Sequence, residues 1–346
     1  MSDQPPAARA VTIYDVAREC GVAASTVSRA FSRPGRVNPD TAQRIHDAAR
    51  RLGYRANPLA RAVTTGRTAM IGVVVSDVTN PVYFPVIRGV EAAAAERDLT
   101  VLLTDAEESP RTERAGIDRA LPLVDGLLLA GSRMSDSAIR TIAQRLPVVV
   151  CNRPVPGVAS VVTDNPRGIR RAVEHLGALG HTTITYVAGP EASWADGARW
   201  RAVREATLEL DLRAVRVGPF TPTVTGGVAA VEPLLRQRPT AVVTYNDLLA
   251  IGLLRGLAQA GVRVPRDVSV VGFDNIFGSD FCTPALTTVA APLRALGTEA
   301  LTHLAAQLDG AAAHAGAPTV LPARLVIRES TAPAPRQRRR KSTSPA

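Results

Sequence analysis

The chain has little of what would place it outside the cell or in a membrane. Its 346 residues include only three cysteines, Cys20, Cys151 and Cys282, an odd number spread far apart. Such spacing is typical of thiols in a reducing compartment and argues against a disulfide framework. No run of about 18 apolar residues occurs, and the polar, proline-rich start lacks the pattern of a secretory signal. We therefore expect a cytoplasmic protein with no membrane span.

The sequence also lacks the short motifs that mark many enzymes and metal sites. No nucleophile elbow and no phosphate-binding glycine loop accompanies the acidic residues. A glycosidase that uses paired carboxylates stays open as an alternative, because acidic residues alone do not exclude it. We expect no cofactor, no metal and no catalytic residue. The five histidines, which lack metal-ligand spacing, are His46, His175, His181, His303 and His314.

Positive charge is concentrated at the two ends of the chain. The formal net charge is +10, yet residues 1–67 hold eleven arginines against five acidic residues, and residues 331–346 hold five basic residues against none. The long stretch between them is therefore nearly neutral. A basic arm ahead of a neutral body suits attraction to the phosphates of DNA. The tail could add nonspecific DNA affinity, or it could be a simple solvated charge run.

Local signals near the N-terminus predict two short helices joined by a turn. Thr12 and Asp15 form a capping box, so the first helix should begin at Ile13. Gly21 gives the backbone the freedom for a tight turn. The second helix should cover residues 24–31, and two short helices that meet at an angle are typical of a helix-turn-helix.

Asn-Pro pairs predict two further helices. The pair at 38–39 supplies a cap and a proline at the first helical position, and this third helix should end near Leu52. The pair at 57–58 predicts a very short fourth helix over 59–64, which should be marginal by itself.

Several motifs together resemble a known family. The arm contains Val-Thr-Ile-Tyr-Asp-Val-Ala at 11–17, Thr-Val-Ser-Arg at 26–29 and Tyr-Arg-Ala-Asn-Pro-Leu-Ala-Arg at 54–61. Their order resembles the lactose-repressor family of bacterial regulators, and the resemblance extends over nearly the whole chain. Each motif is weak alone, but the set is specific. The downstream motifs are Asn80-Pro81, Asp125-Gly126, Asp164-Asn165, Leu179-Gly180-His181, Asn246-Asp247, Val271-Gly272-Phe273-Asp274 and Leu286-Thr287-Thr288-Val289.

Beyond Ala69, short β-branched runs alternate with helical stretches, which is typical of a parallel sheet covered by helices. We therefore expect an α/β fold with two doubly wound parallel-sheet lobes, preceded by a small all-α helix-turn-helix domain. The resemblance adds that the lobes form a periplasmic-binding-protein-like clamshell with crossings near Asp164, Pro292 and Ala323. The predicted strand runs are 71–75, 101–103, 126–129 and 148–150, then 184–187, 215–217, 241–243 and 268–271.

The domain prediction follows from these patterns and from the resemblance. Lobe 1 should cover about 68–164 and 293–322, and lobe 2 about 165–292 and 323–330. The parts in chain order are a disordered start (1–10), the helix-turn-helix domain (11–56), a hinge helix and linker (57–67), the effector-binding and dimerisation domain (68–330) and a disordered basic tail (331–346).

The resemblance implies which residues meet double-stranded DNA. Ala24 and Ser25 would be the variable reading positions of the second helix, and Arg29 would contact a base or a phosphate. Thr26 and Ser28 more often contact phosphates, which positions a helix without reading sequence. The full predicted DNA-binding set is Thr12, Tyr14, Ala24, Ser25, Thr26, Ser28, Arg29, Asn57, Ala60, Arg61 and Val63.

Two positions depart from the family's pattern. Ala23 stands where the family usually has a serine that caps the second helix. Val63 stands where the family usually has a leucine that wedges into the minor groove and kinks the DNA. A shorter wedge should bend DNA less or change the preferred central base step.

Polar residues that follow strands should face the cleft, because ligands bind at the carboxyl ends of parallel strands. From the resemblance, Asp247 and Asp274 would accept hydrogen bonds from effector hydroxyls, Arg199 would donate them, and Phe220 would be an aromatic platform. This combination suits a sugar, with a purine as the alternative. Helix capping is the ordinary competing role for such aspartates. The full predicted effector set is Asp77, Tyr83, Phe84, Asn152, Arg199, Phe220, Asn246, Asp247 and Asp274.

The resemblance implies a two-state mechanism, in which an effector in the cleft changes lobe closure and the spacing of two hinge helices. It further implies a homodimer on a pseudo-palindromic operator. The C-terminal tail lacks the leucine heptads that join some relatives into tetramers. Repression is the expected outcome, and activation is the alternative. A solute-binding transport protein would share the clamshell, but it needs export and no helix-turn-helix.

Overall fold

The computed structural model describes residues 11–32, 35–54, 66–311 and 316–335. The chain divides into two compact units, Met1–Met70 and Ile71–Ala346. The predicted hinge helix lies outside the described residues, and with it Asn57, Ala60, Arg61 and Val63.

The described residues of the first unit form three helices, α1 (Ile13–Cys20), α2 (Ala24–Ser32) and α3 (Pro39–Leu52). The predicted starts of all three helices are confirmed, and α2 extends one residue further than expected. Its core consists of small and β-branched side chains from all three helices, which bury one face of each helix. The buried residues are Val16, Ala17, Cys20, Val27, Ala30, Ile45, Ala48 and Ala49.

Local chemistry sets the ends of these helices. The Asp15 carboxylate reaches back to the start of α1 and accepts hydrogen bonds from Thr12 N at 2.9 Å and Thr12 Oγ1 at 2.7 Å. Gly21 ends α1 with a φ of 64°, in the left-handed region that glycine adopts without strain. The Asn38 side chain accepts a hydrogen bond from Asp40 N at 3.0 Å and so caps α3.

The second unit holds two six-stranded sheets, and we call the part around each sheet a lobe. The sheet of lobe 1 has the order β11-β5-β4-β3-β1-β2, and that of lobe 2 has the order β12-β10-β9-β8-β6-β7. The two-lobe α/β fold is confirmed. The strands are β1 (Met70–Val75), β2 (Thr100–Asp105), β3 (Gly126–Ala130), β4 (Val148–Cys151), β5 (Ala159–Thr163), β6 (Thr183–Val187), β7 (Arg213–Val217), β8 (Ala241–Thr244), β9 (Ser269–Asp274), β10 (Thr287–Ala290), β11 (Thr319–Leu321) and β12 (Arg324–Val326).

Pairing within the sheets is mainly parallel. In lobe 1, β1 pairs with β3 so that Val73 lies opposite Leu128, and β3, β4, β5 and β11 continue in parallel. In lobe 2, β12 runs antiparallel to β10, whereas the pairs β6–β7, β6–β8, β8–β9 and β9–β10 are parallel. Parallel strands point their carboxyl ends to one edge of each sheet, where ligands usually bind.

Helices cover both faces of the sheets, and glycines allow two close helix contacts. These helices are α4 (Tyr83–Ala95), α5 (Pro110–Ala120), α6 (Asp136–Ala143), α7 (Asn165–Ala178), α8 (Trp194–Glu209), α9 (Val224–Ala229), α10 (Val231–Arg236), α11 (Asp247–Gln259) and α12 (Leu293–Leu308). A Cβ on Gly297 of α12 would lie 2.1 Å from the carbonyl oxygen of Val86 in α4. In lobe 2, a Cβ on Gly252 of α11 would lie 2.0 Å from the carbonyl oxygen of Val224 in α9.

The predicted start of the disordered C-terminal tail is wrong. We expected disorder from residue 331, but residues 331–335 lie against lobe 2. Ala332 N donates to Ser269 Oγ at 3.1 Å, and Ala334 N donates to the Leu179 carbonyl oxygen at 2.8 Å. Residues 336–346 lie outside the described residues.

No helix among the described residues is long and apolar enough to cross a membrane. The three cysteines are free; Cys20 and Cys151 are buried and Cys282 is partly buried. Within the same described ranges, no group of three or more potential metal ligands occurs.

Candidate DNA-reading helix and inter-lobe ligand site

The α2 helix presents a short polar surface to solvent. Val27 and Ala30 are buried in the domain core, whereas Ser25 and Arg29 are exposed. Ser25 and Arg29 are four residues apart, so they lie on one face of the helix. Ala24, Thr26 and Ser28 flank this face and are partly exposed. The size and polarity of this surface suit a helix that enters a major groove.

Two predicted residues lie at the start of α1. Tyr14 is 68% exposed although its ring is large and mostly apolar, and Thr12 is tied to Asp15. At the start of α2, the Ala23 carbonyl oxygen accepts hydrogen bonds from Thr26 N at 2.8 Å and Val27 N at 3.2 Å. An alanine there supplies no side-chain oxygen, so α2 begins without the cap that a serine would provide.

A small cavity lies between the two lobes of the second unit, and we call it the inner cavity. Its volume is about 50 Å³. Five of the nine predicted effector residues line it: Tyr83 and Asn152 from lobe 1, and Arg199, Asn246 and Asp274 from lobe 2. The structure therefore brings together residues that are up to about 190 positions apart in the sequence.

Arg199 is the centre of the lobe 2 wall. Its Nε donates to Asn165 Oδ1 at 3.0 Å, its Nη1 donates to the Tyr245 carbonyl oxygen, and its Nη2 lies 3.3 Å from Asp274 Oδ1. The guanidinium also lies 3.6 Å from the centre of the Phe273 ring. A guanidinium stacked on an aromatic ring with its donors in use is held in one orientation.

Asp274 combines burial with an unusual backbone. It is 6% exposed, and its φ of 109° is rare for a residue with a side chain. Burial raises the pKa of its carboxyl to about 7, although the Arg199 charge beside it opposes the rise. Backbone strain together with a perturbed carboxyl is typical of a functional position.

The lobe 1 wall is a linear chain of hydrogen bonds. Tyr83 Oη lies 2.8 Å from Ser76 Oγ, and Ser76 Oγ donates to Glu108 Oε1 at 2.7 Å. Arg133 Nε then donates to Glu108 Oε2 at 2.7 Å. Burial raises the pKa of Tyr83, so the phenol stays protonated and can act as a donor.

Two amide side chains complete the cavity and also support the backbone. Asn152, at a φ of 59°, accepts a hydrogen bond from Thr163 Oγ1 at 2.9 Å. Asn246 caps α11 by accepting from Leu249 N at 3.0 Å. In both residues Oδ1 is used within the protein. The Asn246 amide nitrogen also donates to the Pro222 carbonyl oxygen at 3.4 Å, which leaves it one N–H for a ligand.

The placement of Asp247 does not agree with its predicted role. Its side chain is fully buried and does not line the inner cavity. Its carboxylate accepts hydrogen bonds from Ile276 N at 2.9 Å, Ser279 Oγ at 2.8 Å and Thr288 Oγ1 at 2.6 Å. Burial raises its pKa to about 6. The structure therefore gives Asp247 a supporting role beneath the loop that follows β9.

Three other predicted effector residues also lie outside the inner cavity. Asp77 accepts hydrogen bonds from Thr79 N and Oγ1 in a local turn. Phe220 packs against the core of lobe 2. Phe84 is 44% exposed and stacks on Phe277 with 6.3 Å between ring centres. Asp77 therefore belongs to a turn, Phe220 to the core and Phe84 to the outer surface, and none of the three lines the inner cavity as predicted.

Several residues that line the inner cavity were absent from the sequence prediction. Glu108, Arg133 and Arg153 lie in loops after β2, β3 and β4, and Tyr245 directly follows β8. The rule that polar residues after parallel strands face a cleft could have found them. Ser76, Asn80, Ser132 and Trp194 are further examples.

Known protein families match both the helical arm and the two-lobe part of the chain. Residues 12–57 match the model of the bacterial regulatory proteins of the lacI family, and residues 173–331 match the periplasmic binding protein-like domain. The chain is 35% identical over 332 residues to the HTH-type transcriptional repressor CytR of Escherichia coli (strain K12), which covers 93% of this chain and 96% of CytR.

Solved structures give the same result. A crystal structure of the lac repressor dimer bound to operator and the anti-inducer ONPF matches with a TM-score of 0.84 and 26% identity, over 94% of this chain and 100% of the other. A complex of the transcriptional regulator CelR with cellobiose matches with a TM-score of 0.69 and 31% identity, over 92% and 99% of the two chains.

An exposed reading helix joined to two periplasmic-binding-protein-like lobes defines a DNA-binding transcriptional regulator. The chain belongs to the lacI family of bacterial regulatory proteins. This membership sets aside the enzyme and transport alternatives.

Proposed function

We propose that this regulator is a cytoplasmic repressor whose affinity for its operator is controlled by a sugar bound between the lobes. The observation that carries the proposal is the inner cavity, in which Arg199 and Asp274 from lobe 2 face Tyr83 and Asn152 from lobe 1. A compound that contacts both walls changes the equilibrium between open and closed lobes. The effect of this compound on DNA binding cannot exceed its difference in binding free energy for the two states.

A sugar fits the chemistry of the walls. Carboxylate and hydroxyl acceptors lie beside guanidinium and amide donors, which is what neighbouring hydroxyls require. Tyr245 and Trp194 add aromatic surface to the same cavity. CelR, a structural relative, is recorded with cellobiose. We retain Tyr83, Asn152, Arg199, Asn246 and Asp274 as effector residues.

For the DNA site, we retain Thr12, Tyr14 and the α2 surface of Ala24, Ser25, Thr26, Ser28 and Arg29. Asn57, Ala60, Arg61 and Val63 complete the proposed site from the sequence alone. We further propose the domain limits given by the sequence, with lobe 1 over about 68–164 and 293–322 and with lobe 2 continued to residue 335. The strand order and the bonds of Ala332 and Ala334 support these limits.

We propose a homodimer on a pseudo-palindromic operator. The lac repressor structure is recorded as a dimer on operator. In this chain, Phe277 and Phe281 are 63% and 69% exposed, and their ring centres are 5.7 Å apart. The exposed Phe84 lies next to them. Large aromatic rings grouped on a surface are typical of an interface. This exposed aromatic patch of Phe84, Phe277 and Phe281 is our candidate for part of the dimer contact.

The hinge supplies a direct prediction about DNA bending. Val63→Leu lengthens the proposed minor-groove wedge, so it should increase operator bending or affinity. A gel-based bending assay on circularly permuted operator fragments measures this change. Thr64→Ser is the control at the neighbouring position. Equal bending and equal affinity for the leucine variant and the unmodified protein would contradict the wedge.

Fluorescence anisotropy tests the function itself. The purified full-length protein is titrated with duplex DNA from its own upstream region at fixed salt, with and without a panel of sugars and nucleobases. Tight binding that resists competitor DNA and changes with one sugar supports the proposal. If operator affinity changes with a nucleobase and with no sugar, the effector is a nucleobase and the proposed sugar is wrong. If operator affinity changes with no compound, control by either class of effector is contradicted.

A further inference from the structure

A second cavity lies beside the inner cavity, and we call it the mouth. Its volume is about 490 Å³, against about 50 Å³ for the inner cavity. Ligand pockets usually measure about 300–1,000 Å³, so the inner cavity alone is too small for an effector in this conformation. The two cavities share Arg133, Arg153 and Trp194. A bound ligand therefore has room to extend into the mouth.

Three of the four charged residues that line the mouth are arginines. Arg133 and Arg153 reach it from lobe 1, and Arg201 reaches it from α8 of lobe 2. The acidic residue among its lining residues is Glu191, which is exposed. Three guanidinium groups surround this opening. Glu108 and Asp136 pair with Arg133 and Arg153, whereas Arg201 forms no ion pair among the described residues, so its charge is left for an anion.

Hydrogen bonds and ion pairs orient Arg133 and Arg153 of lobe 1, and each keeps unused N–H donors. The Arg133 side chain is 5% exposed. Its Nε donates to Glu108 Oε2 at 2.7 Å, its Nη2 forms an ion pair with the same oxygen, and its Nη1 donates to the Gly131 carbonyl oxygen at 3.0 Å. A guanidinium has five N–H donors, so two remain. Such a group is oriented before a ligand arrives and loses little entropy on binding.

Arg153 is oriented in a similar way. Its Nη1 donates to the carbonyl oxygens of Ser132 at 3.3 Å and Met134 at 2.6 Å, and its Nη2 pairs with Asp136. Its Nε is buried without a hydrogen-bond partner among the described residues. The hydrogen bonds and ion pairs of Arg133 and Arg153 stay within lobe 1.

Two helix N-termini lie at the mouth, each with an aspartate in its first turn, Asp136 in α6 and Asp196 in α8. Ser135, the N-cap of α6, and Ser193, the N-cap of α8, both line it. The first backbone N–H groups of a helix have no partner within the helix, and the helix dipole favours an anion there. One terminus belongs to each lobe, and in each the N-cap serine accepts one of these N–H groups, so the others are the donors left for a ligand.

From this geometry we propose that the effector carries an anionic group, most simply a phosphate ester on the sugar, which binds at the mouth between Arg133 and Arg153 of lobe 1 and Arg201 of lobe 2. The sugar ring then occupies the inner cavity as the lobes separate enough to admit it. Binding of one charged group by both lobes links the anion to lobe closure. The proposal rests on the proposed function, because it concerns the chemistry of the same effector.

Isothermal titration calorimetry of the full-length protein tests the proposal. The compounds are ribose and glucose, ribose 5-phosphate and glucose 6-phosphate, and inorganic phosphate alone. We expect at least one phosphate ester to bind about tenfold or more tightly than its parent sugar, and added salt to narrow the difference. Parent sugars that bind as tightly as their esters would overturn the proposal.

Arg201→Gln is the informative variant, because Arg201 is exposed and its loss should not affect folding. This variant should bind the phosphate ester about tenfold more weakly and should bind the parent sugar with unchanged affinity. Arg204→Gln is the matched control, since Arg204 is exposed on the same helix one turn later and does not line the mouth. Equal losses in the two variants would overturn the assignment of Arg201.

Operator binding separates this proposal from the function on which it rests. If a neutral sugar changes operator affinity and its phosphate ester does not, the anion site is wrong and the proposed function stands. If the ester alone changes operator affinity, both stand. If no compound binds and none changes operator affinity, both fail.

Discussion

The two walls of the inner cavity are built on different plans. In the lobe 2 wall, one guanidinium joins Asn165, Tyr245 and Asp274 and stacks on Phe273. In the lobe 1 wall, Tyr83, Ser76, Glu108 and Arg133 form a chain in which each member contacts the next. The loss of a central group disrupts every contact at once, whereas the loss of the end of a chain removes one contact. The lobe 2 wall should therefore be the more sensitive to substitution.

The largest effect is expected at the centre of the lobe 2 wall. Arg199→Met removes the partner of a buried carboxylate, and breaking such a pair costs about 3–5 kcal/mol in free energy of unfolding. Urea unfolding measures the loss. Arg170→Met is the control, because its pairs with Glu174 and Glu209 are exposed and should be worth less than about 1 kcal/mol. The double variant Arg199→Met, Asp274→Asn should recover part of the stability, and equal losses for Arg199 and Arg170 would contradict the comparison.

The pH dependence of stability should be a property of the lobe 2 wall. Burial raises the pKa of Asp274 to about 7 in the folded protein, above its ordinary value of 3.8. The folded state therefore binds this proton more tightly than the unfolded state, and stability falls as pH rises from about 4 to about 7. Asp274→Asn removes the titration, so between pH 5 and pH 8 the unmodified protein should lose more stability than the variant, by about 1.4 kcal/mol or more.

Parallel urea titrations of both proteins at several pH values test this prediction. Asp247, whose pKa burial raises to about 6, is present in both proteins, so its direct contribution largely cancels in the difference. Identical pH profiles for the two proteins would show that Asp274 is ionised throughout the range.

The smallest effect is expected at the end of the lobe 1 chain. Tyr83→Phe keeps the ring and removes the hydroxyl that contacts Ser76 Oγ, while Ser76 still donates to Glu108. The loss of one such hydrogen bond costs about 1 kcal/mol. Thermal unfolding measures it as a shift of a few degrees. A loss as large as that of Arg199→Met would mean that the lobe 1 wall also acts as one unit.

Elements with strong local signals could be predicted from the sequence. The capping box at Thr12 and Asp15 and the glycine at 21 fixed the ends of α1, because these interactions involve residues only a few positions apart. The central strands were found because they are buried on both faces and form apolar runs. β5 and β10 to β12 were not identified as strands. β11 and β12 have three residues each and exist through pairing with distant partners.

The candidate site was predicted in part. Position after a strand and the family resemblance selected Asn152 and Asp274, which line the inner cavity, and also Asp77 and Asp247, which do not. The sequence cannot separate these cases, since the same residue type either faces the cleft or binds backbone and hydroxyl donors nearby. Arg133 follows β3, so its position after a strand was available in the sequence, but its orientation depends on the contact with Glu108, 25 residues away, which no local pattern encodes.

The chain order of lobe 1 has a consequence for its synthesis. β5 pairs with β11, and Gly297 of α12 packs against α4, yet β11 and α12 follow most of lobe 2 in the sequence. At about 5–20 residues per second, the ribosome leaves the edge of β5 without its partner for roughly ten to thirty seconds. Unpaired edges bind other chains readily. Lobe 1 is therefore translated first but completed only near the end of translation. Its open β5 edge is the part of the nascent chain most exposed to pairing with other chains.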